Sequence, residues 1–449
     1  MTKVKITKLE RYVPVEKIFN IFKDYKAAVF LDTSLKNSDN RFSIIAINSY
    51  CEIVLKDKLF VNGRIIEEDI FVFLRKYLKD DYEINHTGLP IISGAVGFFS
   101  YDFGKFIEKI PDTAKDDLNL PYCILNFYDN FIIENHETKE VFITANDKLK
   151  SCEDSINEIK SLIRKYSNEF KPETEEYNVS ILSNFTKEKY LESIEKIKEY
   201  ILNGDIYIVN LTQRLAAISK RQPYDAFLKL RNINPSPFGG YLNYLDFKIV
   251  CASPERFLKV KNGFVETRPI KGTRKRGGTK EQDQKLKNEL LNSEKDKSEL
   301  LMIVDLERND LSKVSKKESV KVTELFELKE YATVFHLEST IVSELKADVE
   351  IIDLIKAAFP GGSITGAPKI RAMEIIDEIE NVRRSIYTGS IGYISLDKSC
   401  DLNIVIRTMI YKDNKYYIGV GGGITYESDN NSEYEETLQK AKALLESLA

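Results

Sequence analysis

Apolar and polar positions alternate in short runs through the first third of the chain. Residues 27–31, 42–47 and 51–55 are β-rich and are separated by polar turns such as Lys36-Asn37-Ser38-Asp39-Asn40, the pattern of strands in a sheet. Residues 70–78 switch to helical spacing. The glycines and aromatics of Gly94-Ala95-Val96-Gly97-Phe98-Phe99-Ser100-Tyr101-Asp102 suit a tightly packed strand leading into a turn. Residues 122–134 and 140–144 predict a hairpin turning at 135–139. The charged stretch that follows holds one amphipathic helix, 154–165, and a polar run, 167–176, so a division is expected near residue 180. Three regions result: 1–150, a helix and linker at 151–185, and 186–449. In the last, Tyr190, Leu191, Ile194, Ile197, Tyr200 and Ile201 mark a helix over 187–202, stopped by Asn203-Gly204, with a strand expected over 205–215. Strands and helices then alternate without the regular spacing of a Rossmann or barrel protein. The expectation is a large α+β fold of mostly antiparallel β-sheets packed together, with helices outside.

Composition narrows the function. With 449 residues, 43% hydrophobic and 30% charged, the chain is ordinary globular protein. Its 66 basic and 70 acidic residues give a net charge of −4 with no long basic block, which argues against nucleic acid as a partner. Five scattered cysteines form no CxxC pair, against a disulfide framework or zinc site and in favour of a reducing, cytoplasmic setting. The N-terminus lacks the apolar core of a signal peptide, and no run reaches the ~18 apolar residues of a membrane span. A protein with no membrane association is expected.

Several segments invite chemistry. Gly361-Gly362-Ser363-Ile364-Thr365-Gly366-Ala367-Pro368-Lys369 lacks the Gly-Lys-Ser/Thr ending of a nucleotide P-loop. It reads equally as a bare turn or as a Gly-rich approach to a helix over 369–379 whose N-terminal N–H groups suit an anion. His336, in Val334-Phe335-His336-Leu337, reads first as a satisfied core histidine. Gly421-Gly422-Gly423 closes an expected strand at 416–420, and three glycines in a row imply close approach or positive φ. Glu436 and Lys440, four apart on the next helix, form at least a surface pair. Glu299 stands before a continuous apolar run, where an unpaired carboxylate would cost several kcal/mol; a hard cation such as Mg²⁺ bridging two carboxylates would remove that cost. Lys271, in a Pro-Ile-Lys-Gly-Thr turn ahead of Arg274-Lys275-Arg276, is either a solvated lysine or, if enclosed with other cations, a free amine able to act as nucleophile.

Together these segments resemble the chorismate-utilising enzyme family. The resemblance runs through Ser253-Pro254-Glu255-Arg256-Phe257, Pro269-Ile270-Lys271-Gly272-Thr273, the Met302–Leu311 stretch, 359–369, 387–393 and 421–437. The first region is similar, through 32–44 and 93–108, to the N-terminal part of anthranilate synthase and aminodeoxychorismate synthase large subunits, so the fold implied is that of anthranilate synthase component I. Within the family, anthranilate synthases typically carry alanine at the position of Lys271, whereas the aminodeoxychorismate synthase branch has Pro-Ile-Lys-Gly-Thr. Members that add water to chorismate use a lysine where this chain has Gln213. The resemblance therefore implies synthesis of 4-amino-4-deoxychorismate for 4-aminobenzoate and folate, with anthranilate synthesis or a non-catalytic regulatory subunit as alternatives.

The resemblance also implies roles. Lys271 would attack C2 of chorismate, Glu255 would protonate the departing C4 oxygen, and ammonia would then attack C4 and expel the lysine. His336 matches the family histidine facing the ring. Glu299 and Glu436 would hold Mg²⁺; Gly272, Thr273, Tyr387, Arg407, Gly422, Gly423 and Lys440 would bind the substrate. Thr33, Asp39, Asn40, Arg41 and Phe42, with Pro237, Phe238 and Gly239, match where some relatives hold tryptophan. No cysteine lies in a glutaminase Gly-x-Cys-x-Gly elbow, so ammonia from a separate glutaminase subunit, in a heterodimer, is expected.

Overall fold

The computed structural model describes residues 4–35, 41–331 and 334–449. Antiparallel ladders link 22 strands into one connected sheet system among these residues, with helices packed against it. The expected α+β architecture is borne out.

Alternation along single strands explains the layering. In the strand Phe42–Leu55, Ile45 and Ile47 join a core with Val15, Ile18 and Phe19 of the helix Val15–Phe22 and with Leu444 and Leu448 of the helix Asn430–Leu448. Ile44 and Ala46 point the other way, into a core made of strand and loop residues such as Val96, Phe98, Ile249 and Ile410. A period of two thus sends one face to helices and the other to a facing sheet. A third core lies beneath the helices Lys187–Leu202, Glu294–Val314 and Ile351–Ala358. Strands distant in the chain interleave: Val29–Asp32 pairs with Phe238–Asn243, and Gly94–Phe99 with Ser390–Ser395.

Three expectations need correction. The runs at 42–47 and 51–55 are one strand, because Asn48, at φ 60°, and a register shift between Ser49 and Cys51 absorb the polar interruption without ending the ladder. The strand Lys415–Ile424 does not stop at its glycines; Gly421, Gly422 and Gly423 pair with Thr212, Leu211 and Asn210 of the strand Ile208–Ile218. A Cβ at Gly421 would fall 2.5 Å from the Leu211 carbonyl oxygen, so the glycine serves strand packing rather than a turn. Lys271 likewise lies in a strand, Ile270–Lys275, and not in a turn. That strand pairs with Val334–Glu344 around a bulge between Lys271 and Thr273.

Candidate active site

The bulge requires Gly272: its φ is 73°, and a Cβ there would approach Leu290 Cδ1 to 2.8 Å and Asp296 Cγ to 2.9 Å. The register beyond it sets Thr273 opposite His336, and Thr273 Oγ1 lies 2.9 Å from His336 Nδ1. His336 is buried; desolvation and the charge of Arg407 pull its pKa down to about 4, against a contact with the Gly272 backbone. The imidazole is therefore neutral at pH 7.

Lys271 Nζ donates to the Ser363 carbonyl at 3.0 Å. It also lies over the triple glycine, 3.7 Å from where a Gly423 Cβ would stand. A Cβ on Gly422 would fall 3.2 Å from Glu433 Oε2 and 3.8 Å from Lys440 Nζ. The glycines thus keep clear a floor bordered by Lys271, Glu433 and Lys440. Glu255 is only 5% exposed. Desolvation pushes its carboxyl up to about 7, with Ser363 and the Lys271 ammonium pulling the other way, so a proton-carrying acid persists near neutrality.

The helices Glu294–Val314 and Asn430–Leu448 supply the other carboxylates. Burial raises the Glu299 pKa against the charges of Lys271 and Lys295, with Asp296 and Glu433 adding to the rise. Glu436, its side chain half exposed, feels some desolvation, yet Lys440, Lys295 and Lys271 hold it below its ordinary value. Lys440 Nζ bonds Glu436 Oε1 at 2.7 Å and the Gly421 carbonyl at 2.8 Å, while Arg407 Nη1 bonds the Lys440 carbonyl. The buried Tyr387 ring packs on Gly419, where a Cβ would lie 2.2 Å from Cγ of the ring. Lys271 is the common neighbour, its charge acting on Glu255, Glu299 and Glu436. Residues from motifs far apart in the chain thus share one site.

Glu433 was not singled out by the sequence. It is buried, accepts from Ser428 Oγ at 2.7 Å, and meets Lys295 Nζ at 3.4 Å. The available signal was its spacing: three residues before Glu436, it shares that helix face. The donor chemistry of Glu299, Glu433 and Glu436 fits a hard cation, being all carboxylate, with Glu299 and Glu433 buried. Among the described residues no cluster of three His, Cys, Asp or Glu already stands in metal-holding geometry, so water or substrate would have to complete any shell. Gln213 is buried and locked: its Nε2 donates to Thr437 Oγ1 at 2.6 Å, and its Oε1 accepts from Ser183 Oγ at 2.8 Å.

Thr33, Arg41, Phe42, Pro237, Phe238 and Gly239 lie elsewhere, in the wall of a cavity of about 610 Å³. Asp39 and Asn40 fall outside the described residues. Two of the charges in its wall are matched: Asp32 accepts from Arg231 Nε at 2.8 Å and Ser43 Oγ at 3.1 Å, and Arg41 meets Glu137 at 3.4 Å. Among the described residues no helix is long and apolar enough to cross a membrane.

Comparison with known proteins matches residues 28–446 to the chorismate binding enzyme family. Aminodeoxychorismate synthase component 1 of Bacillus subtilis is 39% identical over 82% of this chain and 79% of its own. Anthranilate synthase component 1 of Acetivibrio thermocellus is 35% identical over 98% and 94%. The crystal structure of anthranilate synthase component I from Streptococcus pneumoniae superposes with a TM-score of 0.84 at 33% identity, covering 92% of this chain and 93% of that one.

Proposed function

Since the chain belongs to the chorismate binding enzyme family, we propose that this chorismate-utilising enzyme makes 4-amino-4-deoxychorismate as the large subunit of an aminodeoxychorismate synthase. The observation that carries the reading is Lys271, set over the triple-glycine floor with the neutral acid Glu255 in its field. Once its ammonium has released a proton to solvent, the Lys271 amine attacks C2 of chorismate as Glu255 gives its proton to the C4 oxygen, which leaves as water. Ammonia then bonds C4, the C2–N bond breaks, and the proton lost by the new ammonium returns to Glu255. Neutral His336 faces the ring without adding a further cation to Lys271, Arg407 and Lys440. Arg407 and Lys440 take the substrate carboxylates, helped by Tyr387, Thr273 and the backbone of Gly272, Gly422 and Gly423. Glu299 and Glu436 are the groups that would hold Mg²⁺, which when bound supplies charge to neutralise a substrate carboxylate. The locked Gln213 favours amination over hydration, because it cannot take a proton from water.

Ammonia is delivered by a separate glutaminase subunit, in keeping with the component-1 naming of the relatives. Anthranilate synthesis is the second reading, favoured by relatives of that name at 35% identity over nearly the whole chain. The deciding experiment is the product formed from chorismate, ammonium and Mg²⁺. Aminodeoxychorismate by mass supports the proposal; fluorescent anthranilate with release of pyruvate overturns it. We place tryptophan, if this chain binds it, in the cavity beside Phe238, whose volume accommodates an indole amino acid.

A further inference from the structure

We propose that Lys295 is a tethered counter-cation that sits between Glu299 and Glu433 and must withdraw before Glu299 and Glu436 can share a divalent cation. The inference rests on the metal reading above and adds to it an occupant of the site. Lys295 Nζ stands 3.4 Å from Glu433 Oε1 and 4.0 Å from Glu299 Oε1. Glu299 lies one helical turn beyond Lys295, whereas Glu433 comes from the C-terminal helix, so the lysine joins two elements.

The three side chains differ in freedom. Those of Glu299 and Glu433 are 12% and 8% exposed, and Ser428 pins Glu433 Oε1, leaving Oε2 toward the space over Gly422. The Lys295 side chain is 46% exposed. Two fixed, desolvated carboxylates repel one another unless a cation sits between them, and a strongly hydrated ammonium on a flexible stem can leave for water at small cost. Metal and ammonium then compete for the Glu299 carboxylate, so measured metal affinity is the intrinsic affinity scaled by the fraction of time the lysine is away.

The probe is Mn²⁺, its binding to the purified full chain followed by electron paramagnetic resonance of the free ion. Lys295→Met is expected to bind Mn²⁺ roughly tenfold more tightly than the natural chain, as when the lysine is seated about nine-tenths of the time. Its metal-free form is expected to melt earlier and to recover on adding Mn²⁺. Lys295→Gln, of gentler polarity, should act in the same direction. The double variant Lys295→Met/Glu433→Gln, which removes one charge of each sign, should regain the metal-free melting temperature. Unchanged or weaker Mn²⁺ binding in Lys295→Met and Lys295→Gln, with binding still abolished by Glu299→Gln, overturns the tethered cation and leaves the metal reading standing. Absence of Mn²⁺ binding in the natural chain and in both lysine variants overturns the metal reading and this inference with it.

Discussion

Around Lys271 three buried groups are displaced from their ordinary states, whereas in the wall of the 610 Å³ cavity Asp32, Arg41 and Asp401 are met by partners of opposite charge. Glu255 keeps its proton to about pH 7, His336 loses its own above about pH 4, and Glu299 is raised by burial, with Lys295 no nearer than 4.0 Å. In the cavity wall, Asp32 is met by Arg231 and Ser43, Arg41 by Glu137, and Asp401 by Arg256 at 3.0 Å. A site that must move protons and bind anions holds groups near their point of change; a site that only holds a ligand can have its charges settled beforehand.

The sharpest way to break this contrast is to remove its centre. Lys271→Ala should lower amination of chorismate by about 10⁴-fold or more, since the nucleophile itself is lost. Incubating the natural chain with chorismate without ammonia should leave a mass increase on the peptide carrying Lys271. An unlabelled peptide, or near-normal turnover by the variant, would show that the lysine is no nucleophile.

Glu255→Gln should cost about 10²- to 10⁴-fold in turnover. In the natural chain, rate measured at constant free ammonia should fall as pH rises through about 7, where Glu255 loses its proton, and that limb should vanish in the variant. The substitution should raise stability where it lowers turnover. Between pH 4.5 and 7 the folded chain keeps a proton the unfolded chain has released, so the natural carboxyl loses folding free energy as pH rises through that window. Glu255→Gln is therefore expected to be more stable than the natural chain at pH 8, by up to about 3 kcal/mol, and nearly equal at pH 4. Urea melts at the two pH values check the sign.

Glu299→Gln and Glu436→Gln should each lower turnover about 100-fold at limiting Mg²⁺ and recover in part at high Mg²⁺, outer-sphere changes alone costing about 10- to 100-fold in other metal sites. A turnover independent of Mg²⁺ in the natural chain would remove the metal from the comparison.

The two regions were legible in the sequence for different reasons. The helices Lys187–Leu202 and Lys369–Ile379 were readable to the residue because periodic apolar positions end in clear punctuation, Asn203-Gly204 in one case and Pro368 at the start of the other. The strand Phe42–Leu55 was not, because a bulge and a chain break share the same polar composition. Lys271, Glu255 and Glu436 were named as candidates because each lies in a short stretch that carries the family resemblance. Glu433 was missed because its part depends on Lys295, which is 138 residues away in the chain and meets it only through tertiary packing. The cavity was half legible: Thr33 and Phe238 could be named, but Lys259, Asp397 and Asp401 in its wall arrive from strands and turns that no local pattern connects.

The smallest expected effect belongs to the cavity. If it holds tryptophan, the amino acid should stabilise the folded chain by about 2.7 kcal/mol at a concentration about 100 times its dissociation constant, because it binds only the folded form. Phe238→Ala should weaken the shift by removing a ring from the wall, and Arg41→Ala should weaken it by removing a cation that can meet the carboxylate. Thermal melts with L-tryptophan, and with D-tryptophan as control, read this directly. A shift that persists undiminished in both variants, or appears equally with the D-isomer, would mean that tryptophan acts elsewhere. The cavity would then lose its role as the settled counterpart of the Lys271 site.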